Sequence, residues 1–192
     1  MPREMRIYFE GHKNLKAGFD AFLREIKERA RTAQWNIRII ATGPTPERDF
    51  GIALRKHPGA SNILLRDREG PHRPGLSAEV CQKQGWPSYQ ADLIFWMVQM
   101  MESWFHADKE ALERYYGNGF HRSALTANPN VEEISKQDLI NGLNAATRNA
   151  TKGKYHKTKH APAILGLIDP ARVQQAAPNC KRFFQAVLGI LP

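Results

Sequence analysis

Apolar and polar positions along this chain alternate between two kinds of segment. Short, nearly unbroken apolar runs, Met5-Arg-Ile-Tyr-Phe9, Asn36-Ile-Arg-Ile-Ile-Ala41 and Asn62-Ile-Leu-Leu65, read as buried strands. Between them Leu15, Phe19, Phe22, Leu23 and Ile26 recur at helical spacing and predict an amphipathic helix from about Asn14 to Ala33. Pro46 suits the first turn of a second helix carrying Phe50, Ile52, Ala53 and Leu54, which Pro58-Gly59 breaks. Residues 72–91, with Pro74, Gly75, Gly85 and Pro87, carry little periodicity and read as a loop-like insertion. Leu93 to Val98 predicts another buried strand, and a helix starting near Gln99 holds Glu102 in its first turns. Asp108 reads as the N-cap of a following helix, and residues 117–131 as a long loop. Ser135 with Asp138 approximates a capping box, while Pro162, Pro170 and Pro178 each suit the first turn of a short helix.

Strands alternating with helices through short connections predict an α/β fold with a mostly parallel sheet, whose ligands gather at the carboxyl ends of the strands. That expectation changes the reading of four acids. Glu10 ends the first strand, Asp67 and Glu69 follow the third, and Glu102 lies within LIFWMVQMMESWF. An ionised carboxylate in apolar surroundings loses several kcal/mol, roughly, unless something compensates it. The usual compensator of converging carboxylates is a hard cation, Mg2+ or Mn2+, with Glu10, Asp67 and Glu69 as its ligands. Each acid also has a plainer reading. Asp67 and Glu69 fit a turn before Gly70-Pro71, and Glu102 fits a carboxylate satisfied by an indole N–H or an arginine.

Composition bounds the rest. The chain has 192 residues, 42% of them hydrophobic, and two cysteines, Cys81 and Cys180, in no metal-ligand spacing. A folded, reduced, cytoplasmic protein without a secretory leader or membrane span is expected. The net charge is +9, and from Leu139 onward eight Lys/Arg face a single acid, Asp169. A basic, mainly helical segment over 117–192, packed on an α/β core over 1–116, points to a polyanionic partner, nucleic acid first. Its candidate contacts are Lys152, Lys154, Tyr155, His156, Lys157, Lys159 and His160. The spacing of His156 and His160 suits a metal on a helix, but flanking lysines favour phosphate contact, and Tyr155 could stack on a base. Gly153-Lys154 lacks the rest of a nucleotide-hydrolysis motif.

The combination resembles the Toprim core shared by topoisomerases, primases and overcoming-lysogenization-defect nucleases. More closely, the chain resembles the Toprim-like bacterial domain-of-unknown-function family 4276. The resemblance is carried by IYFEGHKNLKAGF, ILLRDREGP, MVQMMESWFHADKEAL, FHRSALTANPNVEEISKQDL and KGKYHKTKHAPAILGLIDP. It implies that Glu10 is the Toprim glutamate, Asp67 with Glu69 the acidic pair, and Glu102 a further catalytic acid. It also implies Mg2+- or Mn2+-dependent nuclease chemistry and an ATPase partner in anti-phage defence. A non-catalytic nucleic-acid-binding or partner subunit is the alternative. The chain departs from the broader pattern in two places. Glu69 stands where Toprim proteins carry Asp, and Arg66 and Arg68 flank Asp67. Strand alternation turns both arginines away from the acids, although an arginine turning back could replace a cation.

Overall fold

A computed structural model describes residues 3–192. Four strands, β1 (Glu4–Phe9), β2 (Asn36–Ala41), β3 (Ser61–Asp67) and β4 (Ile94–Met97), form one sheet in the order β2-β1-β3-β4. Every pairing is parallel, with Phe9 opposite Ala41 and Leu65, and Leu65 opposite Phe95. The expected α/β class and parallel sheet are what the chain forms.

The alternation of side chains along each strand sorts them onto two covered faces. Ile7, Phe9, Ile63, Leu65, Phe95 and Met97 enter a large core beneath most of the helices. Tyr8, Leu64, Ile94 and Trp96 enter a smaller one under α3 (Pro46–Lys56) and α4 (Leu76–Gln84). Covering both faces is why the strands read as continuous apolar runs.

Three local expectations need correction. The long helix over 14–33 is a 3-10 turn at Lys13–Leu15, then α1 (Lys16–Phe22) and α2 (Arg24–Thr32), broken at Leu23. Residues 72–91 are no loose loop: they hold α4 and a 3-10 segment at Ser88–Leu93. Gly75 and Gly85, read as part of that insertion, cap α4 at its two ends in left-handed conformations. Only Leu76 and Cys81 of α4 are buried, so its apolar periodicity is faint.

Asp108 does cap, accepting the Ala111 N–H between α5 (Ser103–Ala107) and α6 (Lys109–Tyr116), and Ser135 caps α7 (Lys136–Thr147). Pro170 and Pro178 open α9 (Pro170–Ala176) and α10 (Pro178–Ile190) as expected, but Pro162 lies inside α8 (Lys157–Leu165). A proline there cannot donate to the carbonyl four residues back, that of Thr158. Asn14 Nδ2 donates to that carbonyl instead, at 2.8 Å.

The freed carbonyl therefore ties α8 to the 3-10 turn that leads into α1. The two helices meet closely where a Cβ on Gly18 would lie 2.5 Å from the Pro162 carbonyl oxygen. The last helix closes the same core: Phe184 meets Phe22 at 5.6 Å and Phe183 meets Phe95 at 5.4 Å between ring centroids. No helix among the described residues is long and apolar enough to cross a membrane.

Candidate active site at the carboxyl end of the sheet

β1 and β3 end side by side, and the chain leaves each through a backbone turn. After Glu10, Gly11 adopts φ +146, and a Cβ there would lie 2.7 Å from Leu15 Cδ1, so glycine is required. After Asp67, Glu69 takes φ +58, a left-handed conformation that costs a non-glycine residue about 1 kcal/mol or more. The extended chain stops at Asp67, so Asp67 and Glu69 do not share a strand face. Glu10, Asp67, Glu69 and Lys157 nonetheless line one open cleft of about 340 Å3, together with His12 and the Met101 segment.

Asp67 is 8% exposed. One carboxylate oxygen accepts the Met101 N–H at 2.8 Å, and the other faces Lys157 Nζ at 3.7 Å. Burial pushes its carboxyl up to about 7; Lys157 opposes that shift, while Glu102 and Glu10 add to it. Glu10 is also raised, by burial first, against Arg66 and the Asp67 amide. Its Oε2 is buried with no hydrogen-bond partner.

Glu102 is wholly buried, accepting Tyr155 O–H at 2.8 Å and lying 3.4 Å from Lys157 Nζ. Burial works against the charge on Lys157, but Glu102 and Asp67 outweigh it and hold the ammonium above the usual lysine range. Burial followed by the Glu102 charge pushes the Tyr155 phenol well above its ordinary range, so it remains a donor. Glu69 is exposed at the rim and pairs with Lys136.

Arg66 does not point clear of the acids. The register Phe9 opposite Leu65 brings Arg66 beside Glu10, on the face away from Asp67. Its Nε lies 3.5 Å from Glu10 Oε2, its guanidinium pairs with Glu47, and it stacks 5.1 Å over the Trp96 ring. Alternation separates it from Asp67 but not from Glu10.

The basic residues part company. Lys152, Lys154, His156 and Lys159 are exposed at the surface beside the cleft, with Lys152 Nζ 4.9 Å above the Tyr115 ring. Lys157 reaches into the cleft. Tyr155 is half-buried, with its hydroxyl on Glu102 and its ring edge-to-face with Phe105 at 6.3 Å, so its polar tip is committed inside the protein. His160 is 2% exposed, and its Nδ1 meets both the Tyr116 hydroxyl at 3.0 Å and the His156 N–H at 3.2 Å, so a phosphate contact from it is not what the fold supplies. The apolar stripe Ala161, Ile164 and Leu165 explains both placements: on a helix it continues back through His160 to Lys157. That stripe was the signal that Lys157 turns inward. Nothing comparable marked the Met101 amide or the cleft-lining His12.

A family model described as "Domain of unknown function (DUF4276)" matches residues 19–188. The chain belongs to this family. Among solved structures it is similar to the C-terminal region of the Burkholderia pseudomallei OLD protein, at 11% identity and a TM-score of 0.58, covering 97% of this chain and 98% of that one. The C-terminal region of the Xanthomonas campestris pv. campestris OLD protein matches at 12% identity and a TM-score of 0.43, covering 96% and 94% of the two chains. The likeness to the Burkholderia protein concerns the fold, which is Toprim-like. No curated protein matches the chain.

The fit of a divalent cation rests on the donor atoms. Every acid at the cleft offers carboxylate oxygen, the ligand that Mg2+ and Mn2+ prefer. Glu10 keeps a buried oxygen that accepts no hydrogen bond and faces only Arg66 Nε at 3.5 Å, and one Asp67 oxygen is met only by an ammonium. Among the described residues no three acids, histidines or cysteines already stand in metal-binding proximity. The donor chemistry fits, with Lys157 placed between the acids.

Proposed function

We propose that this protein is a Mg2+- or Mn2+-dependent nuclease of the Toprim type, cleaving DNA or RNA phosphodiesters as the effector of an anti-phage system with an ATPase partner. The observation that carries the reading is the pair of buried carboxylates at the ends of adjacent parallel strands, Glu10 with an oxygen that accepts no hydrogen bond and Asp67 held up near neutrality. The basic surface beside the cleft and the Toprim-like fold support it.

Glu10 and Asp67 would hold the cation, with Glu69 joining from the rim. Bound there, it would activate water and stabilise charge developing on the phosphate. The chain's own residues do the rest. Met101 N–H fixes the Asp67 carboxylate, and Glu102 with Tyr155 anchors the start of α8. Lys157 exchanges its carboxylate contacts for a phosphate oxygen when substrate enters. Lys152, Lys154, Lys159 and His156 contact the nucleic-acid backbone.

A second reading draws on a specific observation: Lys157 and Arg66 already meet the charges of Asp67, Glu102 and Glu10. On that reading the chain is a non-catalytic binding subunit. Cleavage assays on labelled DNA and RNA with Mn2+, wild type against Glu10→Ala and Asp67→Ala, separate the two. Cleavage lost at least a hundredfold in both variants supports the nuclease. Cleavage equal in all three proteins contradicts the nuclease site, and cleavage absent from all while nucleic acid still binds assigns the second reading.

A further inference from the structure

β2 is an edge strand, and its outer side is open. Asn36 N–H donates to Arg3 O at 2.9 Å and Thr42 N–H to Phe9 O at 3.0 Å, so the even-numbered amides of this strand turn inward to β1. By the two-residue alternation of a strand, Ile37, Ile39 and Ala41 turn their N–H and C=O outward. Among the described residues no strand pairs with them.

An open edge invites another strand, and proteins usually blunt it with proline, a bulge, charge or a covering element. β2 carries no proline or bulge along Asn36–Ala41, and its one charge, Arg38, is paired with Glu4. Instead a groove of about 720 Å3 runs beside it, with Ile37 to Ala41 on one side and the α1–α2 surface on the other. An open strand facing a helix wall is the geometry in which an extended peptide adds to a sheet. The half-buried Ile37 and Ala41 offer apolar contact for alternate side chains of such a peptide.

Charge selects the occupant. Lys13, Lys16, Lys27, Arg6 and Arg38 line the groove against two acids, Asp20, which Lys16 and Lys27 share, and Glu4 beside it, which Arg6 and Arg38 share. A second copy of this strand would bring the same cations into contact and is disfavoured. Phosphate is an acceptor only and leaves the outward carbonyls unmet, whereas a main chain matches donors and acceptors together.

We propose that the β2 edge is a docking site for an acidic, extended peptide segment of a partner protein, which joins the sheet as a fifth strand. It lies outside the acid cleft and does not depend on the activity assigned there.

The probe is an end-capped, fluorescent ten-residue peptide alternating glutamate with valine, beside its lysine-for-glutamate counterpart and a ten-nucleotide single strand. Ile37→Pro removes one outward N–H without touching the pairing to β1, and Lys16→Glu with Lys27→Glu reverses the rim. The acidic peptide is expected to bind, weaken at least tenfold in each variant, and slow hydrogen exchange at Ile37, Ile39 and Ala41. The lysine peptide should not bind. Equal binding of both peptides, no binding of the acidic one up to millimolar concentration, or affinity unchanged by Ile37→Pro overturns the proposal. So does protection of the same amides by the oligonucleotide alone, or by self-association of the protein. Melting curves matching wild type keep the variants interpretable.

Discussion

Two regions of this molecule bury carboxylates, and they neutralise them differently. At the seam between α6, α9 and α10 the donors are mostly backbone amides. Asp108, 1% exposed, accepts N–H groups of Ala111 at 3.1 Å and Asp169 at 2.9 Å, plus Arg172 at 3.2 Å. Glu132, 8% exposed, takes the Asn179 N–H at 2.8 Å and its side-chain amide at 2.7 Å. Burial raises Glu132, and the Asn179 donors pull against that rise. At the cleft, Asp67 has one amide and a lysine, while at Glu10 an arginine stands 3.5 Å from an oxygen that accepts no hydrogen bond. Helix-end amides cannot leave without unfolding the chain, whereas a lysine or arginine side chain can swing away. The first arrangement holds elements together; the second can be exchanged for a cation or a substrate.

The largest test of that contrast is stability. Asp108→Ala and Glu132→Ala each strand buried donors and should cost about 2–4 kcal/mol in denaturant unfolding. Asp67→Asn keeps an acceptor for Met101 and removes an acid held above its unfolded pKa, so it should be neutral or stabilising at pH 8. Equal destabilisation at both regions would erase the distinction.

Next in size is the pH dependence. Burial raises the Asp67 carboxyl from its ordinary 3.8 to about 7, so the folded state binds the extra proton and stability falls as pH rises from 4 to 7. His106, buried with Nε2 3.0 Å from the Leu139 carbonyl, is pushed down to about 4, first by burial. Its unfolded form takes the proton first, so its contribution is complete above pH 6.5 and is lost toward pH 4. The two slopes oppose each other in the wild type, each worth roughly 1–3 kcal/mol across the window. Asp67→Asn should expose a stability that rises with pH, and His106→Gln one that falls; urea midpoints at pH 4.5, 6 and 7.5 read both. Parallel profiles for the two variants would contradict the assignments.

The smallest effect concerns the surface beside the cleft. Replacing Lys152, Lys154 and Lys159 with glutamine should weaken nucleic-acid binding and reduce the slope of log affinity against log salt by roughly two to three. A slope that stays put would make those lysines a solvated face.

Much of this architecture was legible because buried parallel strands leave continuous apolar runs, and Glu10, Asp67 and Glu102 interrupt or end them conspicuously. What escaped was set by conformation or by distance along the chain. α4 hid because two residues anchor it, and its glycine caps look like loop residues. Glu69 left the face of Asp67 through one left-handed residue that strand alternation does not register. Arg66 meets Glu10 because of the β1–β3 register, which no local pattern encodes. Lys157 belonged to a basic run by composition, yet the helix that Asn14 and Gly18 dock onto α1 turns it into the cleft.

The central claim is that Glu10 and Asp67 are a cation site that Lys157 covers. Crystals soaked in Mn2+ test it most directly. Anomalous density bridging the Glu10 and Asp67 carboxylates, with Lys157 Nζ moved off Asp67, is the predicted result. An Nζ still beside Asp67, and no density there at ten millimolar Mn2+, would contradict it.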